Sequence, residues 1–260
     1  MRPEGRQVRA DSRRPGDTPR AVDARPKGAL PPRVPTVSGT PPRLLTLSEQ
    51  IAEHLARDIV RQALAPGQRL KEVELSQQFG ASRAPVRDAL RLLEQRGLVR
   101  IEPRRGVRVT QLSTTEIENL YEIRAALLAL AARRAAARRD AQFLALANAH
   151  LQQMARHVGD ASADRYFEST YALSSLVADA AENPHLSTLI ASFAAQVARY
   201  TRMSLESLVR RRQSLANWRR LVTAIQAGRA DEAAAVQTEL VFGSRDQVHK
   251  LVAPGKATPR

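Results

Sequence analysis

From Thr46 to Val109, about 65 residues, three helical patterns and a hairpin pattern follow one another with almost no loop between them. So short a run of elements restricts the folds open to it. Thr46-Leu-Ser-Glu49 has the spacing of a capping box. Ile51, Leu55 and Ile59 then recur every four residues, which predicts an amphipathic helix to about Gln62, stopped by Ala65-Pro66-Gly67. A short helix is expected over Lys71 to Phe79, ended by Gly80. Ser82 is placed to cap a third, which tolerates Pro85 in its first turn, runs to Arg96 and stops at Gly97. Val99 and Ile101, then Val107 and Val109, alternate with polar residues around Pro103-Arg104-Arg105-Gly106, a small β-hairpin. Helix, helix, turn, helix and hairpin is the layout of a winged helix-turn-helix, whose third helix is free to enter a DNA major groove.

Beyond Ser113 every segment reads as helix. Ser113-Thr-Thr-Glu116 repeats the capping-box spacing and opens a long helix with Ile117, Leu120, Tyr121, Leu127, Leu128 and Ala131 on one side. Five more follow, carrying Phe143 to Val158, about Ala161 to Ala181, Leu186 to Tyr200, Leu215 to Ile225, and about Asp231 to Leu251. Six amphipathic helices in about 140 residues predict an antiparallel bundle. The fold class is therefore mainly α: a winged helix-turn-helix over 44–112 and an all-helical domain over 113–253. Residues 1–43 hold nine of the fifteen prolines and no aromatic residue, and are expected to form a disordered basic arm. The arm either adds DNA affinity or is an inert extension or misassigned start. Residues 254–260 are expected to be a disordered tail.

Composition narrows function. The net charge of +15 is spread as +6 over 1–43, +4 over 44–111, +3 over 112–253 and +2 over the last seven residues. The N-terminal half faces a polyanion on this reading; an arginine-rich composition habit is the alternative. There is no cysteine, which excludes disulfides, thiolate metal sites and a cysteine nucleophile, and fits a reducing cytoplasm. The longest uncharged stretch, Asn183 to Ala198, is 16 residues and contains Pro184 and His185, too short to span a membrane. No apolar run follows the basic N-terminus, so no secretory signal is expected. No Gly-rich phosphate loop, nucleophile elbow or HExxH is present, and an enzymatic role is not expected.

The segment from Pro66 to Val99, with Ser82-Arg-Ala-Pro-Val-Arg87 at its centre, Gly97-Leu-Val after it and Arg105-Gly106 in the wing, closely resembles the GntR family of bacterial transcription regulators. The helical half resembles the ligand-binding FCD domain of the FadR-type subfamily through Leu120-Tyr-Glu-Ile-Arg124, Asn183-Pro-His-Leu186 and Ala224-Ile-Gln-Ala-Gly228. Together the resemblances cover about residues 44–252 and imply a cytoplasmic, nucleoid-associated homodimer bound to a pseudo-palindromic double-stranded operator, with a small-molecule effector.

Arg83 and Arg87 are spaced i, i+4 at the start of the third helix and so share one face at its leading end. Arginine can bond guanine O6 and N7 bidentately. The resemblance places base contacts at these two positions, sets Ser82 and Pro85 close to the DNA backbone with Ser82 as a phosphate ligand, and lets Arg104 and Arg105 reach a phosphate or the minor groove. Arg91 and Arg96 read as surface charges. Relatives often carry arginine after Glu72; here Val73 stands there, so a particular operator sequence does not carry over.

Many relatives hold a divalent metal in the bundle with an Asp and a His four residues apart and two later histidines. The register set by Asn183-Pro184 and Gly228 puts Thr170, Ser174 and Trp218 at three of those positions and the fourth near Leu240, with Glu239 beside it, a set without imidazole. Asp164 and Glu168 mimic the spacing six residues too early. His54, His150, His157, His185 and His249 supply no alternative cluster. No metal and no other cofactor is expected. Arg124 is the remaining anchor for an anionic effector, a structural salt bridge being its alternative role. Tyr121, Tyr171, Ser174 and Trp218 are candidate pocket residues, ordinary core packing being theirs.

The reading is a DNA-binding transcription regulator, a repressor by family habit, whose operator affinity a metabolite modulates. Its competitors are a non-specific nucleoid-type protein, a regulator without ligand response, and a bundle whose main partner is protein.

Overall fold

A computed structural model describes residues 44–252; the expectations for the N-terminal arm and the tail lie outside them. Helix α1 (Leu47–Val60) starts at the expected capping box, in which Glu49 N donates to Thr46 Oγ1 at 3.2 Å and Thr46 N to Glu49 Oε2 at 2.8 Å. Helices α2 (Glu72–Phe79) and α3 (Arg83–Gln95) follow. Gly80, at φ +59°, takes the left-handed conformation that lets the chain turn between them, as its place in the sequence requires. Ile51, Leu55, Ile59, Leu75, Val86, Leu90 and Leu93 close a small core with Val99, Val107 and Val109.

The wing departs from the sequence reading in two ways. Strands β2 (Val99–Glu102) and β3 (Gly106–Val109) form the predicted hairpin, but a third strand, β1 (Arg69–Leu70), pairs antiparallel with β3 and gives the order β1-β3-β2. Two residues are too short to show any periodicity; the free edge of β3 creates this strand. Ile101 faces outward, 38% exposed, although Val99 is buried as expected.

The second half is the predicted six-helix bundle: α4 (Thr114–Arg138), α5 (Ala141–His157), α6 (Asp164–Ala180), α7 (Pro184–Ser204), α8 (Leu208–Gln226) and α9 (Ala230–Val252). The Ser113–Glu116 capping box forms, and Asn183 caps α7 with Pro184 at its first turn. The core runs from Ile117 and Tyr121 through Leu173, Val197 and Leu221 to Val248, with alanines of α4 (Ala131, Ala132, Ala135, Ala136) where α4 and α9 lie side by side. Small side chains there let α4 and α9, the two longest helices of the bundle, pack closely.

The two halves touch. Arg61, just after α1, reaches Glu168 at 3.3 Å and Asp164 at 3.9 Å, and Arg202 of α7 holds Asp164 at 2.6 Å. Gln196 of α7 packs over Gly97, where a Cβ would stand 2.7 Å from the Gln196 Cγ. The two carboxylates that mimicked a metal-ligand pair in the sequence are therefore bound to arginines at the joint. Among the described residues no helix is long and apolar enough to cross a membrane.

Candidate functional site

Two places gather the predicted residues. The first is the leading end of α3. Ser82 occupies the N-cap position, but its side chain makes no capping bond, contrary to expectation, and is exposed. Arg83 and Arg87 follow one turn apart, both exposed, while Pro85 is half-buried and Val86 fully buried between them. The helix thus anchors on Val86, Ala89, Leu90 and Leu93 and turns its two arginines to solvent. Arg83 makes no hydrogen bond or ion pair within the described residues. Arg87 does: its Nε donates to Glu72 Oε1 at 3.1 Å and its Nη2 to Glu72 Oε2 at 2.9 Å. That fork uses one edge of the guanidinium and leaves Nη1 outward. The bond from Arg87 is the chief reason the Glu72 carboxyl sits below the ordinary carboxylate value, against the desolvation that would raise it. Val73 lies next to this pair, 47% exposed. Arg91 pairs loosely with Asp88 at 3.6 Å and Arg96 with Glu53 at 2.6 Å, as surface charges.

Arg104 and Arg105 are both exposed at the tip of the wing, Arg104 at φ +62°. The sequence reading missed a second basic feature behind them. Arg69, Arg108 and Arg100 stand abreast on β1, β3 and β2, since Arg69 and Arg100 are both in register with Arg108. All three are exposed. Like charges directly opposite one another weaken a sheet. Arg108 is held by the Gly67 carbonyl at 3.0 Å and Arg100 by Glu116 at 3.1 Å. The signal lay in the strand register, and β1 had not been foreseen.

The second place is a cavity of about 50 Å³ inside the bundle. Arg124 of α4, Thr170, Tyr171 and Ser174 of α6, and Trp218 of α8 line it. Leu240 of α9 closes the wall. The four positions that the resemblance matched to metal ligands, 170, 174, 218 and 240, all line this cavity. A hydroxyl pair, an indole and an isobutyl group do not make a site for a first-row metal. No group of three or more His, Asp or Glu poised to hold a metal occurs among the described residues. The donor set does not fit a divalent transition metal.

Tyr121 does not reach the cavity. It is fully buried behind the wall, its hydroxyl 3.1 Å from Thr201 Oγ1, and Thr201 lines the space in its place. Among the described residues Arg124 has no carboxylate partner, so the alternative of a structural salt bridge finds no support there; its guanidinium stands over the Tyr121 ring at 5.9 Å, and Tyr171 is the other titratable group in its field. Among the lining residues not foreseen are a buried arginine and a buried glutamine. Arg210 reaches in from α8, 5% exposed, donating to the Leu240 carbonyl at 3.0 Å and to Ser244 Oγ at 3.1 Å. Gln237 of α9 is 1% exposed.

The comparisons agree with both halves. The bacterial regulatory protein gntR family matches residues 47–109 and the FCD domain family residues 119–241. The chain is 29% identical over 142 residues to the HTH-type transcriptional regulator YdhC of Bacillus subtilis, which is 54% of this chain and 63% of that protein. It is 43% identical over 90 residues to the HTH-type transcriptional repressor RspR of Escherichia coli, 35% of this chain and 40% of that one. The match therefore spans less than two thirds of the length of either relative. Among solved structures, E. coli McbR/YncC superposes with a TM-score of 0.71 at 19% identity, covering 80% of this chain and 99% of that one. A GntR transcriptional regulator from Rhodococcus superposes with a TM-score of 0.66 at 19% identity, covering 78% and 97%. These two likenesses show the fold.

Proposed function

Because the chain belongs to the GntR family of bacterial regulatory proteins and carries an FCD domain behind its DNA-binding domain, we propose that it is a sequence-specific DNA-binding transcription regulator whose operator affinity is set by a small effector in the bundle cavity. The observation that carries this reading is the leading end of α3, where Arg83 and Arg87 stand exposed one turn apart while the opposite face is fixed in the core. Guanidiniums at the N-terminus of such a helix meet base edges when it enters a major groove. Ser82 and the wing arginines Arg104 and Arg105 meet phosphates, which position the domain without reading sequence.

Two such domains in a homodimer read a pseudo-palindrome with half-sites about one helical turn, roughly 10 base pairs, apart. The effector acts by favouring one placement of the DNA-binding domains over another, a population shift that needs only different affinity for the two placements. The protein acts as a repressor, and the reading contains no enzymatic step and no metal.

Selection of bound DNA from a random pool tests the reading. An enriched pseudo-palindrome, lost with Arg83→Ala or Arg87→Ala, supports it. Retention of every sequence alike would mark a non-specific nucleoid protein instead. Full regulation by the Arg87→Ala variant would put the function on a protein partner.

A further inference from the structure

A cleft of about 390 Å³ lies where the DNA-binding domain meets the bundle, apart from the smaller cavity inside the bundle. Glu94 of α3, Arg100 of β2 and Thr110 after β3 line it from one side, and Glu116 and Asn119 of α4 with Gln196 of α7 from the other. Small-molecule sites have volumes of roughly 300–1,000 Å³ and gather at domain boundaries. Gly97, left-handed at φ +71° and without a side chain, lets Gln196 lie against the end of α3 where the two sides meet.

The polar groups of the cleft are only partly used. Thr110 Oγ1 is buried and has no hydrogen-bond partner, which buried hydroxyls rarely lack. The carboxamides of Gln196 and Asn119 make no hydrogen bond among the described residues. Glu94 accepts from the Ile101 amide through Oε1 at 2.9 Å, and its Oε2 carries no bond. Arg100 is already paired across the cleft, its Nη2 donating to Glu116 Oε1 at 3.1 Å. Two carboxylates against one guanidinium do not favour an anion here. The groups left over, a hydroxyl and two carboxamides, each donate and accept. Alcohol hydroxyls do the same, whereas a carboxylate only accepts and an ammonium only donates. Val99, Leu112 and Leu120 supply apolar surface beside them.

We propose that this cleft between the two halves is a second small-molecule site, which takes a neutral polyol of sugar size, with Thr110, Gln196 and Asn119 bonding its hydroxyls and Glu94 Oε2 accepting from one of them. Each partner is neutral or already paired, so the bound molecule brings no charge into the cleft. The walls belong to both halves. An occupant therefore binds best in the placement of the DNA-binding domain that keeps them at this spacing, and it braces that placement. That bracing alters operator binding rests on the regulator reading; that the cleft binds a polyol does not.

The test titrates D-glucose, D-ribose, myo-inositol, glucose 6-phosphate and putrescine into the full chain, with binding followed by saturation-transfer NMR, and then repeats each titration with operator affinity as the readout. At least one of the three neutral polyols should bind, and glucose 6-phosphate and putrescine at least tenfold more weakly than the best of them. Thr110→Val should weaken polyol binding at least fivefold while the melting temperature of the free protein holds or rises, because the variant removes an unpaired buried hydroxyl at nearly constant size. Gln196→Leu keeps the packing over Gly97 and removes the amide; it should weaken binding to a similar extent and serves where Thr110→Val fails to fold. Failure of all three polyols to bind, tighter binding of putrescine or glucose 6-phosphate, or polyol binding undiminished in both variants would each overturn the proposal. Polyol binding that shifts operator affinity at least threefold supports the bracing role. Binding without any such shift would leave the site standing and overturn that role.

Discussion

The Tyr200 hydroxyl of α7 accepts a hydrogen bond at 3.3 Å from the backbone amide of Leu112, in the connector between the DNA-binding domain and the bundle. Tyr200 itself is almost fully buried. On the same helix Ala194, Ala198 and Thr201 line the cavity, with Leu205 just past its end, and Gln196 packs over Gly97 just after α3. One face of α7 therefore borders the cavity and another meets the DNA-binding domain. On the proposed reading, a helix that touches both is the element through which the two ends are coupled.

Removing that bond separates the ends. Tyr200→Phe keeps the ring and deletes the acceptor, at about 1 kcal/mol for a hydrogen bond between neutral groups. Operator affinity of the free protein should change little, while the ratio of affinities with and without effector should fall by about fivefold. Fluorescence anisotropy on a labelled operator, with and without saturating ligand, measures both. A Tyr200→Phe protein with an undiminished ratio removes this bond from the coupling.

The two kinds of arginine should behave differently on DNA. Arg83→Ala is expected to cost about 1–3 kcal/mol on the operator and to relax the choice of base at one position per half-site. Arg105→Ala and Arg108→Ala should weaken binding to all sequences alike and lower the slope of log affinity against log salt by about 1 each. For Arg108 the fold should not suffer, because its removal relieves the repulsion from Arg69 and Arg100 on either side. A sequence-selective loss with Arg108→Ala would show that the outer row reads bases instead.

How much of this could be read from the chain alone depends on whether the deciding contact was local. The two capping boxes, the left-handed Gly80 and the proline-started α7 each follow from residues three or four apart, and all appear where expected. Arg83 and Arg87 were legible for the same reason. Strand β1 was not, because it exists only through β3. Arg210 and Arg211 sit in a run, Arg210-Arg-Arg212, that reads as a solvated face, yet two of the three are buried. Arg211 bonds the carbonyls of Val158, Asp160 and Leu205 at the ends of neighbouring helices, and Arg210 bonds that of Leu240. Nothing in the sequence near Arg210 announces those distant partners.

The opening of α4 should make stability depend on pH. Glu116 lies below the usual 4.5 because the Ser113 backbone and hydroxyl bond it, with Arg100 adding to the effect. A carboxyl lowered in the folded state contributes stability that is present above the ordinary value and is lost as pH falls through the folded one. Ser113→Ala should therefore cost about 1 kcal/mol at pH 7 and progressively less below about pH 4.5. Urea midpoints at pH 7 and pH 3.5 give the comparison. An equal cost at both would assign the loss to the hydroxyl alone.

Glu72 sets the last expectation, because it acts on Arg87 in two opposed ways. Its carboxylate repels phosphate, and its fork with Nε and Nη2 fixes the guanidinium with Nη1 outward. Glu72→Gln weakens both effects. Binding to bulk DNA should then tighten, since the domain gains a unit of positive charge and with it a share of counterion release. Binding to the operator should gain less, because an arginine no longer held must be ordered on arrival, at about 1 kcal/mol or roughly fivefold. The operator-to-bulk ratio should accordingly fall while both affinities hold or rise. Competition between labelled operator and unlabelled bulk DNA reports that ratio. If it is unchanged in Glu72→Gln, the ion pair plays no part in orienting Arg87, and the carboxylate serves only to temper charge.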